Sequence, residues 1–298
     1  MTDHLTRGAT FQRAAAGALA PITVQLHRSD GVKPPWEQWI NLDVRAVERA
    51  AACAHAIEPD EGYIESAANA RRRVGLALLA CIRDDPGLDP LSAFDRVFSE
   101  RSDWFSRPLT DWLDALGSGG RGAVAAEACA YAAGVAAWLG SNRLAAVRFS
   151  GPSEHLDWEL PSRTVRVRGR CDAMIPRGVR PADRRLLVVV GSLDQADGAA
   201  GQAALAYTLA RGSVPLRVTV LAPATGSVVI DVDDDRLEEA LGRVADAARS
   251  VVAARFGPEA EPSAGRWCRR CGRAGECEQG DAWLATNPVR FGGLLPSR

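Results

Sequence analysis

Apolar and polar positions follow two rhythms along the chain, and the change between them falls near residue 140. Before it, apolar residues recur at the three- and four-residue spacing of helices with one buried face. WEQWINLDVRAVERAAACAHAI (36–57), GYIESAANARRRVGLALLACIRD (62–84), DPLSAFDRVFSE (89–100) and LTDWLDAL (109–116) predict four such helices. GAVAAEACAYAAGVAAWLG (122–140) is apolar on most faces and predicts a buried helix. After it, LAAVRFS (144–150), DWELP (157–161), TVRVRGRCDAMI (164–175) and RRLLVVVG (184–191) alternate or run apolar as strands do. AAGQAALAYTLARG (199–212) predicts a helix. LRVTVLAP and SVVIDV predict a hairpin around Ala224-Thr225-Gly226. DDDRLEEALGRVADAARSVVAARFG (233–257) predicts a long amphipathic helix whose acidic first turn suits its dipole.

This order predicts an α/β core behind a helical region. Four segments follow: a leader over 1–35, a helical region over 36–140, an α/β core over 141–256 and an irregular tail over 257–298. The leader has little pattern and ends in Pro34-Pro35, which predicts a flexible lead or a tight turn. No run of about 18 apolar residues occurs, so no transmembrane helix and no membrane partner are expected. A cytoplasmic protein is expected.

Charge narrows the picture. The net charge of −1 exerts no long-range pull on nucleic acid, so any such site is a local patch. Lys33 is the only lysine; the other 35 basic residues are arginine. Of seven cysteines, three stand together in RWCRRCGRAGEC as Cys268, Cys271 and Cys277, a C-x2-C-x5-C pattern. Thiolates so spaced can turn back onto one ion or cluster. The surrounding Gly- and Arg-rich segment has little apolar core and needs a metal to hold it. An iron–sulfur cluster and zinc are the two occupants of such a site. The fourth ligand is open among Cys53, Cys81, Cys129 and Cys171, of which Cys81 and Cys129 sit in apolar helices as core residues do.

From about residue 36 to 278 the chain resembles the PD-(D/E)XK nuclease superfamily, within it the RecB/AddB-type nucleases and the CRISPR-associated iron–sulfur exonucleases. The resemblance implies a restriction-endonuclease-like core, a mixed central sheet flanked by helices. It implies a 4Fe-4S cluster held by one early and three late cysteines, which match Cys53 and Cys268, Cys271 and Cys277. RVRGRCDAMI resembles the strand bearing the first metal-binding aspartate, which places Asp172 there. The hairpin and helix over 221–252 and Pro262 before the cysteines fit the same pattern. WhiB-like iron–sulfur regulators share C-x2-C-x5-C but carry another cysteine a short way upstream, and none lies between Cys171 and Cys268.

The family pattern breaks where chemistry would occur. Such nucleases hold Mg²⁺ with carboxylates and position a water with a lysine. The family's Asp/Glu-x-Lys falls here on Val189-Val190-Gly191 or Val190-Gly191-Ser192, with neither group. Leu78 stands where the family has a helical histidine or glutamate. The Gln-Tyr helix motif survives as Gln202 and Tyr207, one residue further apart than usual. Asp194 and Asp197 beyond the strand are the substitutes available to a migrated site. Asp172 otherwise reads as a strand-end carboxylate paired with Arg168 or Arg170.

Arg166, Arg168 and Arg170 alternate and share one strand face, either a solvated face or a phosphate-contacting stripe. Arg71-Arg72-Arg73 is a second basic cluster, and Trp36, Trp39, Trp104 and Trp112 read as packing residues. The expected function is a catalytically inactive, nuclease-fold iron–sulfur module that binds DNA or a protein partner. The alternative is a metal-dependent DNA exonuclease with a migrated site, which alone would need Mg²⁺.

Overall fold

In a computed structural model the described residues are 3–28, 40–53, 67–85, 87–100, 105, 107–144, 147, 149, 154–160, 165–176, 184–256, 262–271 and 275–287. Lys33, Trp36, Trp39 and Trp104 lie outside them. The fold is mixed α/β, with two mixed sheets among the described residues.

The helical region comes first. Helix α1 (Asp3–Arg28) occupies most of the expected leader. Its Ala15, Leu19 and Ile22 are buried, at the i, i+4, i+7 spacing of one helix face. That stripe is only three residues wide in an Ala-rich segment, which is why the sequence reads as patternless. Strand β1 (Ile40–Leu42) replaces the start of the next expected helix. Its short register, Ile40 opposite Val165 and Leu42 opposite Val167, is set by a partner 125 residues away that local periodicity does not report. Helix α2 (Val44–Ala52) follows, its first turn capped by Asp43, which accepts from Ala46 N–H at 2.7 Å, and its end capped by Cys53.

Helices α3 (Ala67–Asp84), α4 (Pro90–Glu100), α5 (Arg107–Ala115) and α6 (Gly117–Ser141) follow the predicted order. Leu76, Leu78, Val97, Leu109, Val135 and Leu139 join one core. Helices α3 and α6 touch at Gly75, where a Cβ would stand 2.7 Å from the Tyr131 ring and 3.0 Å from the Ala128 carbonyl oxygen. By length and composition α6 could cross a membrane, contrary to the reading of the sequence; its Val124, Ala128, Tyr131 and Val135 are buried within this core. Val147 and Phe149, read as part of a strand, are buried without belonging to one.

Strands β2 (Glu154–Glu159) and β3 (Val165–Cys171) form an antiparallel pair, and β1 joins β3 in parallel. Then the chain changes sheets. The run read as one strand bends at Asp172 and continues as β4 (Ala173–Pro176), which pairs with β5 (Arg184–Val189). Helix α7 (Ala196–Arg211) crosses over to β6 (Arg217–Ala222), parallel to β5, and the hairpin ends in β7 (Gly226–Asp231). The second sheet thus runs β4-β5-β6-β7.

The unbroken apolar run in β5 has a direct cause. Leu187 and Val189 face the α3/α6 core, while Leu186, Val188 and Val190 face α7, so both faces are covered. Gly169 lets α7 approach β3, since a Cβ there would collide with Ala206. Helix α8 (Asp234–Phe256) closes a third cluster with α1, α2 and β1. The tail, expected to be irregular, holds a 3-10 turn (Arg266–Arg270) and helix α9 (Glu278–Thr286).

Candidate functional site: a closed carboxylate and a cysteine cradle

Asp172 sits at the bend between β3 and β4 with its side chain 0% exposed. Its two carboxylate oxygens face different elements. Arg72 of α3 donates to Oδ1 at 2.9 Å, and Val189 N–H of β5 donates to Oδ2 at 2.6 Å. Asp172 N–H itself donates to the Leu187 carbonyl. A buried carboxylate is tolerated only when paired and hydrogen-bonded, and both conditions are met. One partner is Arg72, from the second basic cluster, which the sequence reading did not pair with Asp172. Arg71 reaches Glu127 at 3.8 Å.

The strand onto which the family resemblance maps a second carboxylate and a lysine is buried on both faces. Val189 and Val190 are buried in the apolar cores on either side of β5. The Val189 carbonyl accepts from Arg170 at 3.3 Å. Ser192 accepts from Asp194 N–H and donates to the Asp194 carboxylate at 2.8 Å, and Asp194 is exposed. Asp197 pairs with Arg236 of α8 at 3.1 Å. Leu78 is fully buried in the helical core.

Tyr131, missed in the sequence, belongs to this neighbourhood. Burial, and then the Asp172 carboxylate, push its phenol above the ordinary tyrosine range. Its hydroxyl is buried with no hydrogen-bond partner among the described residues, as is that of Tyr207. Gln202 is structural: its amide donates to the carbonyls of Leu42 (3.2 Å) and Arg168 (3.0 Å), tying β1 to β3.

The arginine face of β3 is matched by acid. Arg166 pairs with Glu159 and Arg168 with Asp157 at 3.4 Å, each directly opposite on β2. Cross-strand pairs of opposite charge are a normal device of a solvated sheet.

Cys53, near the start of the chain, touches the segment that precedes the late cysteines. Cys53, capping α2, is 8% exposed and its sulfur accepts from Ser263 N–H at 3.5 Å, across 210 residues of sequence. Gly265 N–H donates to the Cys268 sulfur and Gly280 N–H to the Cys277 sulfur, both at 3.4 Å. Gly280 is a shared seat: a Cβ there would meet the sulfurs of Cys277 at 3.4 Å and Cys268 at 3.5 Å. Cys271 lies at the end of the 3-10 turn, its N–H on the Cys268 carbonyl at 3.3 Å. Cys81 and Cys171 are instead embedded in apolar cores, and burial raises the Cys129 thiol. Among the described residues no three His, Cys, Asp or Glu side chains converge closely enough to hold a single metal ion. Backbone N–H groups donate to the Cys53, Cys268 and Cys277 sulfurs, and two of these, Cys268 and Cys277, face Gly280, a setting that suits thiolates that ligate iron. Cys53, Cys268, Cys271 and Cys277 would hold such a cluster, which supplies a structural tie and one-electron chemistry when bound.

The chain matches no protein-family model and no curated protein.

Proposed function

We propose that this protein is a catalytically inactive nuclease-fold iron–sulfur module that holds a binding partner. The observation that carries the reading is the double commitment of Asp172 to Arg72 and Val189 N–H, beside a strand whose Val189-Val190 side chains are core. An Mg²⁺ site needs open carboxylate oxygens on a shared face. Here one carboxylate is buried and already neutralised by a guanidinium. The β4-β5-β6-β7 order, with α7 crossing between parallel β5 and β6, supports kinship with the restriction-endonuclease-like core. The contact of Cys53 with Ser263 supports Cys53 as the fourth ligand of a 4Fe-4S cluster.

The pairing of Arg166 and Arg168 with β2 carboxylates favours a protein partner over DNA, because a phosphate would have to displace an existing ion pair. Fluorescence anisotropy with labelled linear DNA, at low salt and in EDTA, tests this. The expected binding is weak and salt-sensitive, unaffected by Asp172→Ala and lost when Arg166, Arg168 and Arg170 are all changed to Ala. Binding that requires Mg²⁺ would overturn the reading.

A further inference from the structure

Helix α9 is fastened to the cysteine segment at three places. At its start, Cys277 is the N-cap: its sulfur accepts from Gly280 N–H, while Gly280 also faces the Cys268 sulfur. In its first turn, the Asp281 carboxylate accepts from Gly275 N–H at 3.0 Å, spanning the loop before Cys277. At its far end, the Arg269 guanidinium lies 5.3 Å from the centre of the Trp283 ring and donates to the Asn287 carbonyl at 3.3 Å. Arg269 stands between Cys268 and Cys271. One helix therefore grips both the sulfur-bearing loop and two of its sulfurs, those of Cys268 and Cys277. Arg269 also caps the carbonyl end of α9, where a cation is favoured.

We infer that α9 is the lid of the cysteine site, and that the Arg269–Trp283 clasp holds it shut against solvent and oxidant. The inference rests on the cluster reading above. Arg269, Trp283 and Asp281 are positioning residues; they act on the cluster through the cysteines' loop. The clasp lies on the protein surface, with Arg269 exposed, so loosening it opens the site without removing a core residue.

The test uses the full chain purified without oxygen, in wild-type, Arg269→Ala, Arg269→Lys, Trp283→Ala and Asp281→Asn forms. Iron content is measured on purification, and absorbance near about 400 nm is followed after mixing with air-saturated buffer. All forms should carry wild-type iron. Arg269→Ala and Trp283→Ala should bleach roughly five- to ten-fold faster, the change expected from losing one exposed cation–π contact and one hydrogen bond. Arg269→Lys should recover much of the wild-type rate. Should Arg269→Ala not fold, Trp283→Ala and Asp281→Asn carry the comparison. A coloured wild type whose variants all bleach at its rate overturns the lid alone. A wild type without iron overturns the cluster reading and the lid with it.

Discussion

At the scale of single residues, Arg72 carries the largest expected effect. Arg72→Ala removes a guanidinium from the charged, buried Asp172, and should cost about 3–5 kcal/mol in urea unfolding. Asp172→Asn, which keeps an acceptor for Val189 N–H, should cost less. Equal costs would mean that the ion pair itself is idle. Tyr131 adds a pH signature. The folded state holds its proton above the ordinary tyrosine value, so unfolding releases it, and stability should fall as pH rises above about 10. Tyr131→Phe should flatten that fall. Tyr207→Phe, removing a buried hydroxyl without a partner among the described residues, should be neutral or slightly stabilising. Asp172 and the late cysteines stood out in the sequence because their motifs are local. Arg72 was not singled out as a partner because it lies 100 residues away, within a run of three arginines that look alike.

At the scale of elements, close approaches decide what can change. Gly169→Ala would drive a methyl into Ala206 where α7 crosses β3, and overpacking of this kind costs about 1–3 kcal/mol. Thermal unfolding reads it directly; an unchanged midpoint would mean that α7 moves freely over the sheet. The long helices α3, α6 and α8, strand β5 and the β6–β7 hairpin were all visible in sequence, since each has a sustained period or a turn signal. Helix α1 was not, because alanines fill the positions between its three buried anchors. The change of sheets at Asp172 was also hidden: alternation continues through TVRVRGRCDAMI, and only the partners differ on either side.

At the scale of the whole molecule, two contacts join distant parts of the fold: the Cys53 sulfur of α2 accepts from Ser263 N–H of the tail, and Asp172 joins the helical region to the sheet. The proposed cluster would close that long a loop and remove unfolded-state entropy of about 4–5 kcal/mol on the cross-link model. Cys268→Ser and Cys53→Ser should therefore lose metal together and lower the unfolding midpoint alike, whereas Cys81→Ser should keep the metal. The central claim of the proposed function is that the chain does not cut DNA. Its most direct measurement incubates the anaerobic protein with end-labelled linear single- and double-stranded DNA in Mg²⁺ or Mn²⁺. The predicted result is intact DNA, because β5 presents neither carboxylate nor lysine and Asp172 already serves Arg72 and Val189. Cleavage that stops in EDTA and disappears in Asp172→Ala or Asp194→Ala would contradict it.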